Sequence, residues 1–257
     1  LNSCPKLHVI CMHGAGVDCI DVEAAERLGI QVTNAADANS GSVAEFTLGL
    51  ILSLAKKLPQ SRDGLRKEGW SIRPQITTFD LEGKTLGVLG MGRIGTAVAR
   101  KASYGFGMKV LGYRRNLPGD ICADYGILTS DLDKVIRNSD FLSIHLPYTK
   151  DTFHLVSREK LELMKPDAYL LNLGRGEVVD QAALRELLLS NRLAGAALDV
   201  FEGEIPDADD PLLHMDQVIA TPHIAGLSKQ AMERLSYQAA LGITEVLEGR
   251  KVAYPVN

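Results

Sequence analysis

The chain has 257 residues, enough for one large domain or two modest ones with a buried core. Hydrophobic residues make up 46% and charged residues 23%, a balance typical of globular proteins, which excludes a disordered or fibrous chain. The net charge of −4 offers no general basic surface, and the longest apolar run, 46–55, is too short to span a bilayer. We therefore expect neither a nucleic-acid partner nor a membrane partner.

The cysteines indicate a reducing compartment. Cys4, Cys11, Cys19 and Cys122 show no CxxC spacing, so we expect reduced thiols in a cytoplasmic protein rather than a metal site or a disulfide framework. The chain opens at Leu1 and reaches a strand-like run within a few residues. That first element has the character of an interior one, and we expect an N-terminal portion to be missing or disordered.

Strand-like and helical patterns alternate along the chain, which predicts an α/β protein with parallel sheets and helices on both faces. The first part is predicted to contain strands at 7–12 and 30–33, a helix at 22–28, a long helix from Ser42, and a polar connecting arm at 60–81. Ser42 and Glu45 have capping-box spacing, and Pro59 ends the apolar stretch of the long helix. From Thr85 we predict strands at 85–90, 109–113, 141–145, 169–173, 196–200 and 218–220, and helices at 94–104, 131–138, 157–164, 180–190 and 228–247.

A glycine-rich turn follows the strand at 85–90 and opens the next helix. Its sequence is Gly90-Met91-Gly92-Arg93-Ile94-Gly95. In this context Gly90 permits a tight turn, Gly92 lets the backbone approach a pyrophosphate, and Gly95 allows close helix packing. The helix N-terminus supplies oriented amides for the negative charge. The pattern favours a dinucleotide site over an ordinary glycine turn.

The residues at the end of the following strand bear on the choice of cofactor. A site for NAD commonly places Asp or Glu there, whereas this chain has Tyr113-Arg114-Arg115. Two guanidinium groups suit a 2′-phosphate, so we predict a preference for NADP over NAD. The alternative is a pair of solvated surface arginines, which is common for short charge runs.

Further polar residues follow the predicted strands. His145 and Pro147 follow one strand, Gly174 and Arg175 another, Asp199 ends a third, and His223 follows a fourth. Ligands of α/β sheets sit beyond the carboxyl ends of the strands, so these residues are predicted to line one crevice. Considered alone, Arg175 could be an ordinary surface charge and His223 an ordinary structural histidine. Together with Glu204, they provide the cation, imidazole and carboxylate needed to hold an anionic substrate and move a proton.

The chain resembles the D-isomer-specific 2-hydroxyacid dehydrogenases along nearly its whole length. The resemblance is carried by GAGVDCID, VTNAADANSGSVAE, GKTLGVLGMGRIG, HLP, NLGRGEVVD, AALDVFEGEIP and TPHIAG. It implies two Rossmann-like domains. A dinucleotide-binding domain at 41–225 would be inserted into a flavodoxin-like substrate domain at 1–40 and 226–257, which would be incomplete at its N-terminus.

The resemblance also implies roles for matching residues. Arg175 would clamp the substrate, His223 would be the acid/base with Glu204 as its partner, and the backbone of Ala15 and Gly16 would bind the substrate carboxylate. The expected cofactor contacts are Gly90, Gly92, Arg93, Ile94, Gly95, Arg114, Arg115, His145, Pro147, Thr152, Leu173, Gly174, Asp199, Ala225 and Gly226. Trp70 falls in an arm that exchanges across a homodimer in relatives.

These features predict an enzyme that transfers a hydride between NAD(P) and a D-2-hydroxy acid/2-oxo acid pair. Reduction of hydroxypyruvate or glyoxylate is favoured, given the arginine pair. A 3-phosphoglycerate dehydrogenase is the alternative within the family. A nucleotide-sensing, corepressor-like binding protein of the same fold, or an inactive scaffold, is the alternative outside catalysis. Glu204 argues against the formate-oxidising branch, where the resemblance leads us to expect Gln.

Overall fold

The computed structural model describes residues 1, 3–115 and 128–257, and Cys122 lies outside them. The chain divides into two compact units, one formed by 1–43 with 226–257 and the other by 44–225. The larger unit is therefore continuous in sequence and the smaller one is built from both chain ends. In the part of the chain that the structure describes, no helix has the length and apolar character required to cross a membrane.

A seven-stranded parallel sheet forms the centre of the larger unit. Its strands are β3 (Thr85–Leu89), β4 (Lys109–Tyr113), β5 (Leu128–Thr129), β6 (Phe141–Ile144), β7 (Tyr169–Asn172), β8 (Gly195–Leu198) and β9 (Val218–Ala220). Their spatial order is β5-β4-β3-β6-β7-β8-β9. The order reverses between β3 and β6, so the carboxyl ends of these two strands border the crevice where such sheets bind ligands. This confirms the predicted α/β class.

Helices cover the sheet of the larger unit. They are α4 (Arg93–Phe106), α5 (Leu132–Asn138), α6 (Arg158–Glu162) and α7 (Gln181–Leu189). Asp131 and Asp180 cap α5 and α7 by accepting hydrogen bonds from Lys134 N and Ala183 N, each at 2.9 Å. All residues of β6 and β8 are buried, as expected for parallel strands covered on both faces.

The smaller unit contains a two-stranded parallel sheet, β1 (Val9–Cys11) and β2 (Gln31–Thr33), with α1 (Val22–Arg27) and α8 (Lys229–Leu247). Ser228 caps α8 by accepting a hydrogen bond from Ala231 N at 3.1 Å. The chain end is attached to β2, because Asn257 Oδ1 accepts a hydrogen bond from Val32 N at 2.7 Å. Both ends of the chain thus contribute to one core.

Two local predictions were wrong. Helix α2 (Ser40–Ala55) begins two residues before Ser42, since Val43 N already donates to Asn39 O at 3.0 Å. Ser42 therefore does not cap the helix, and its hydroxyl lies 2.7 Å from Ser228 Oγ. The connecting arm is also helical: it contains α3 (Leu58–Glu68) and a 3-10 helix (Gly69–Gln75). Pro59 lies in the first turn of α3, where its missing N–H costs nothing.

Candidate active site

The glycine turn after β3 is closed by contacts with the two neighbouring strands. Gly90 N and Met91 N both donate to Tyr113 O, at 2.9 and 3.2 Å. Gly90 has a φ of +100°, and a Cβ placed there would lie 2.8 Å from the backbone of His145. A Cβ on Gly95 would lie 2.1 Å from Gly90 O. Only glycine fits at these two positions, so the turn and the start of α4 are packed to backbone contact.

Gly92 differs from the other two glycines of the turn. It is exposed, it precedes α4 in an extended conformation, and a Cβ added there would meet no atom within 4 Å. Packing within the described residues therefore does not require glycine at this position. The open space lies at the N-terminus of a 14-residue helix, where backbone amides attract an anion. This cradle fits the pyrophosphate of a dinucleotide, while Arg93 and Ile94 begin the helix beside it.

The two arginines after β4 have different surroundings. Arg115 Nη1 lies 2.9 Å from Asp151 Oδ2, and both side chains are more than half exposed. Arg114 is exposed, and no residue in the described ranges is seen to pair with its guanidinium. Of the predicted arginine pair, one charge is thus shared with a carboxylate and the other is available to a ligand.

His145 closes the end of β6 with its ring held inside the protein. Its Nε2 lies 2.8 Å from Oγ of the buried Ser143, and its Nδ1 is buried with no hydrogen-bond partner among the described residues. Burial lowers the pKa of His145 to about 3, so the ring is neutral at physiological pH. A neutral ring with an unsatisfied buried nitrogen fits a ligand contact better than a proton-transfer role.

The loop after His145 is organised by Thr152. This buried threonine donates from Oγ1 to Pro147 O at 2.7 Å and accepts at Oγ1 from Thr149 N at 2.8 Å. Its hydroxyl is thus used within the loop that follows β6. The predicted cofactor contacts Pro147 and Thr152 lie in one small turn at the carboxyl edge of the sheet.

Arg175 follows β7 in a loop held by Asn172, for which the sequence analysis predicted no role. The buried Asn172 accepts at Oδ1 from Gly174 N at 3.1 Å and donates from Nδ2 to Arg175 O at 2.9 Å. Arg175 is half-buried, and its Nη1 donates to Gly174 O at 2.8 Å. Leu173 is buried at the end of the strand. The only signal for Asn172 was its place in NLGRGEVVD, directly before the loop.

Backbone contacts join this loop to its neighbours. A Cβ on Gly174 would lie 2.6 Å from Leu146 O, next to His145. A Cβ on Gly176 would lie 1.9 Å from the carbonyl carbon of Phe201, in the segment that carries Glu204. The loop of Arg175 therefore packs directly against the loops that follow β6 and β8.

Asp199 organises the turn that carries His223. Its buried carboxylate accepts three hydrogen bonds: Oδ1 from Thr221 Oγ1 at 2.7 Å and Ile224 N at 2.9 Å, and Oδ2 from Ala225 N at 2.9 Å. Its backbone carbonyl accepts from His223 N at 2.9 Å. His223 itself is exposed and has a left-handed φ of +53°. The carboxylate fixes both sides of the turn and so sets where the imidazole is presented.

Glu204 lies in an exposed turn after β8, with a left-handed φ of +70°. Across the described ranges, no hydrogen bond or ion pair links its carboxylate to the imidazole of His223. The predicted pairing of Glu204 with His223 therefore stays a prediction. The neighbouring Glu202 does pair with a histidine: its Oε1 lies 3.0 Å from His154 Nε2.

Three predicted ligand residues belong to the smaller unit. Ala15 O accepts from Asn34 Nδ2 at 2.8 Å, which fixes the GAGVD segment beside the strand end of β2. Gly16 is half-buried in the same segment. A Cβ on Gly226 would lie 2.8 Å from Asn39 Nδ2, so this glycine packs closely against the Asn39 side chain within its own unit.

Comparison with known proteins identifies the family to which this chain belongs. Residues 48–225 match the family model described as D-isomer specific 2-hydroxyacid dehydrogenase, NAD binding domain. The D-3-phosphoglycerate dehydrogenase of Methanocaldococcus jannaschii is 42% identical over all of this chain, which covers 49% of that protein. The glyoxylate reductase of Korarchaeum cryptofilum is 39% identical over 93% of this chain and 73% of that protein.

Solved structures agree with the sequence matches. An NADPH-dependent glyoxylate/hydroxypyruvate reductase from Sinorhizobium meliloti, solved with NADP and malonate, has a TM-score of 0.88 at 32% identity, covering 98% of this chain and 78% of that one. A D-lactate dehydrogenase from Aquifex aeolicus, solved with NAD and lactic acid, has a TM-score of 0.89 at 35% identity. The match covers 97% of this chain and 79% of that one. The chain belongs to the D-isomer-specific 2-hydroxyacid dehydrogenase family. It spans about half the length of the phosphoglycerate dehydrogenases that it matches.

The buried His145 predicts a specific pH dependence of stability. Its folded pKa of about 3 lies below the ordinary 6.5, so between these values the unfolded chain binds a proton that the folded protein excludes. The contribution of His145 to the free energy of unfolding therefore decreases as pH falls below about 6.5. In His145→Gln, the drop in unfolding free energy between pH 7 and pH 5 should be smaller than in wild type by about 2 kcal/mol, measured by urea unfolding. His8→Gln, which alters an exposed histidine, serves as the control. An equal pH dependence of the unfolding free energy in wild type and His145→Gln would contradict the lowered pKa of His145.

Proposed function

We propose that this protein is an oxidoreductase that transfers a hydride between a nicotinamide cofactor and a 2-hydroxy acid/2-oxo acid pair. The observation that carries the proposal is the continuous backbone packing from the Gly90 turn to His145, from Leu146 to Gly174, and from Gly176 to Phe201. This packing fixes a dinucleotide-type turn and the loops of Arg175 and Glu204 along one edge of one sheet. Family membership and the names of the relatives support the same reaction class.

The cofactor would be held by the larger unit. Gly92 leaves room for a pyrophosphate, the amides at the start of α4 face it, and the unsatisfied Nδ1 of His145 offers a further polar contact. When bound, the nicotinamide supplies or accepts the hydride. In this proposal residues 41–225 form the cofactor domain, and residues 1–40 with 226–257 belong to the substrate domain, where the backbone of Ala15 and Gly16 binds the substrate carboxylate.

Arg175 and His223 carry the substrate chemistry in this proposal. The guanidinium of Arg175 binds the carboxylate and carbonyl oxygen of a 2-oxo acid and stabilises negative charge on that oxygen. The protonated imidazole of His223 donates its proton to the same oxygen, and in the reverse direction the neutral imidazole removes it. In the same proposal Glu204 accepts a hydrogen bond from the imidazole and so holds it in one orientation.

For the substrate, we propose glyoxylate or hydroxypyruvate, with 3-phosphoglycerate as the alternative. Relatives of this chain carry both names. A corepressor-like binding protein would keep the same residues, so turnover itself separates the two kinds of function. Saturable oxidation of NADPH by glyoxylate, hydroxypyruvate or 3-phosphohydroxypyruvate would identify the substrate, and failure of all three would favour the binding role.

His223→Ala should lower kcat with the best of these substrates by about 10²–10⁴-fold, because the proton donor is lost, and leave the Kd for NADPH within about twofold. Arg175→Ala should raise KM and lower kcat together. Steady-state kinetics and cofactor fluorescence titrations measure these effects. His214→Ala, which removes an exposed histidine bonded to Ala208 O, is the matched control. Unchanged turnover in His223→Ala would refute its role.

We propose that NADP(H) is preferred over NAD(H), since the exposed Arg114 is available to a 2′-phosphate. Fluorescence titration should then give a lower Kd for NADPH than for NADH. Arg114→Ala should weaken NADPH binding about tenfold or more and leave NADH binding nearly unchanged, because only NADPH carries the 2′-phosphate. Arg137→Ala, at an exposed position on α5, is the charge-matched control. Tighter binding of NADH by the wild-type protein would contradict this preference.

We also propose a homodimer formed through α3 and the following 3-10 helix. Helix α3 buries none of its residues, and Leu58, Leu65 and Trp70 are more than half exposed. Apolar side chains grouped on one exposed arm are typical of a covered interface.

The free thiols of Cys4, Cys11 and Cys19 support the cytoplasm as the compartment, which cell fractionation would test.

Light scattering should give a mass twice that of the chain for the wild-type protein. Leu65→Asp should shift the population towards the monomer, since a charge buried in an apolar interface is costly. Lys67→Asp, which also adds a carboxylate to exposed α3 but removes no apolar surface, is the control. A monomeric wild-type protein at micromolar concentration would refute the proposed dimer.

A further inference from the structure

The turn that carries Glu204 has an unfavourable backbone. Gly203 and Glu204 both have left-handed φ values, +79° and +70°. The turn is closed by Glu204 N donating to Phe201 O at 3.1 Å. A side chain in this conformation costs free energy, and such residues persist only where surrounding contacts hold them. The position of Glu204 therefore depends on what anchors the turn.

Three contacts from other elements anchor it. Glu202 N donates to Gln181 Oε1 at 2.9 Å, and Gly203 N donates to Glu177 Oε1 at 3.4 Å. The third is a side-chain contact, with His154 Nε2 lying 3.0 Å from Glu202 Oε1. The first two bonds restrain the backbone, and the third holds the side chain two residues before Glu204.

His154 is itself held in an unusual conformation. Its φ is +46°, its backbone N–H donates to Glu177 O at 2.8 Å, and its ring stacks on Phe153 at 4.1 Å between centroids. A carboxylate oxygen accepts hydrogen bonds, so the imidazole Nε2–H is the donor in this contact. A strained backbone and a stacked ring thus direct one N–H at Glu202.

The same turn also contacts the loop of Arg175. Gly176 packs against the backbone of Phe201 so closely that no Cβ fits between them. A shift of the turn would therefore move the surface on which the loop of Arg175 rests. The hydrogen bond between His154 and Glu202 restrains the residue that follows Phe201.

We propose that His154 is a positioning residue for Glu204, acting through its hydrogen bond to Glu202. This inference rests on the proposed catalytic role of Glu204. The pair is about one-third exposed on each side, so it adds little to overall stability, and its effect falls on the geometry of the turn. Small displacements of a catalytic group lower turnover strongly, with about 100-fold known for a shift of 1 Å.

The test measures kcat, KM and the Kd for NADPH in His154→Ala, Glu202→Ala and the double variant. We expect kcat to fall about tenfold in each single variant, with the Kd for NADPH within about twofold. The double variant should fall no further than either single one, since both remove the same bond. His154→Gln, whose amide can still donate to Glu202, should recover most of the lost kcat.

Glu186→Ala is the matched control, because it breaks an exposed ion pair with Arg158 at 2.5 Å in the same unit. It should leave kcat unchanged. A kcat within twofold of wild type in His154→Ala would overturn the proposal, as would additive losses in the double variant or no recovery in His154→Gln. These results are meaningful for positioning only if Glu204 acts in catalysis, which Glu204→Gln tests separately. A normal kcat in Glu204→Gln would refute the catalytic role itself.

Amide hydrogen exchange gives a readout that does not depend on activity. The amides of Glu202 and Gly203 should exchange faster in His154→Ala than in wild type, because the anchored turn opens more often. Glu186→Ala should leave their exchange unchanged. Unchanged exchange in His154→Ala would refute the anchoring even if turnover fell.

Discussion

The candidate site depends on backbone-to-backbone packing along the carboxyl edge of the seven-stranded sheet. Side chains are excluded at successive contacts between adjoining loops: Gly90 with His145, Gly174 with Leu146, and Gly176 with Phe201. Because each contact fixes the distance between two loops, a residue on one loop has a defined position relative to the next. The parallel sheet supplies the frame, and the glycines bring its loops close enough to act together.

Hydrogen bonds to buried polar side chains complete what the packing begins. Asn172 fixes the loop of Arg175, and the carboxylate of Asp199 fixes the turn of His223. Left-handed backbone occurs at His223, Glu204 and His154. Strain of this kind is concentrated at functional sites, where surrounding contacts compensate for it. His223 and Glu204, the two proposed catalytic residues in this group, therefore lie in turns that hydrogen bonds from neighbouring residues hold in place.

Much of the fold follows from sequence pattern. Short apolar runs predicted β3, β4, β6 and β7 closely, since the strands of a parallel sheet covered by helices have few polar residues. The helix of the connecting arm was missed because α3 is mostly polar, and Leu58 and Leu65 alone are too few to give a helical apolar period. Strand β5 has two residues, too few for any periodicity.

The positions of the candidate site residues at strand ends were predictable, and the contacts between those residues were not. Residues that follow strand ends were recognised, because the ends of parallel strands share one edge. The contact between His154 and Glu202 joins residues 48 positions apart, and no local spacing signals it. The three bonds to Asp199 likewise depend on how the chain returns after β9. Tertiary packing determines such contacts, and local sequence pattern does not predict them.

A crystal structure of the protein with NADPH and oxamate, a non-reducible analogue of a 2-oxo acid, would show whether Arg175, His223 and Glu204 form one site. We expect the Arg175 guanidinium and the His223 imidazole both to lie within about 3.5 Å of oxamate oxygens, with the Glu204 carboxylate hydrogen-bonded to the imidazole. Side chains directed into separate cavities, or oxamate bound away from Arg175, would contradict it.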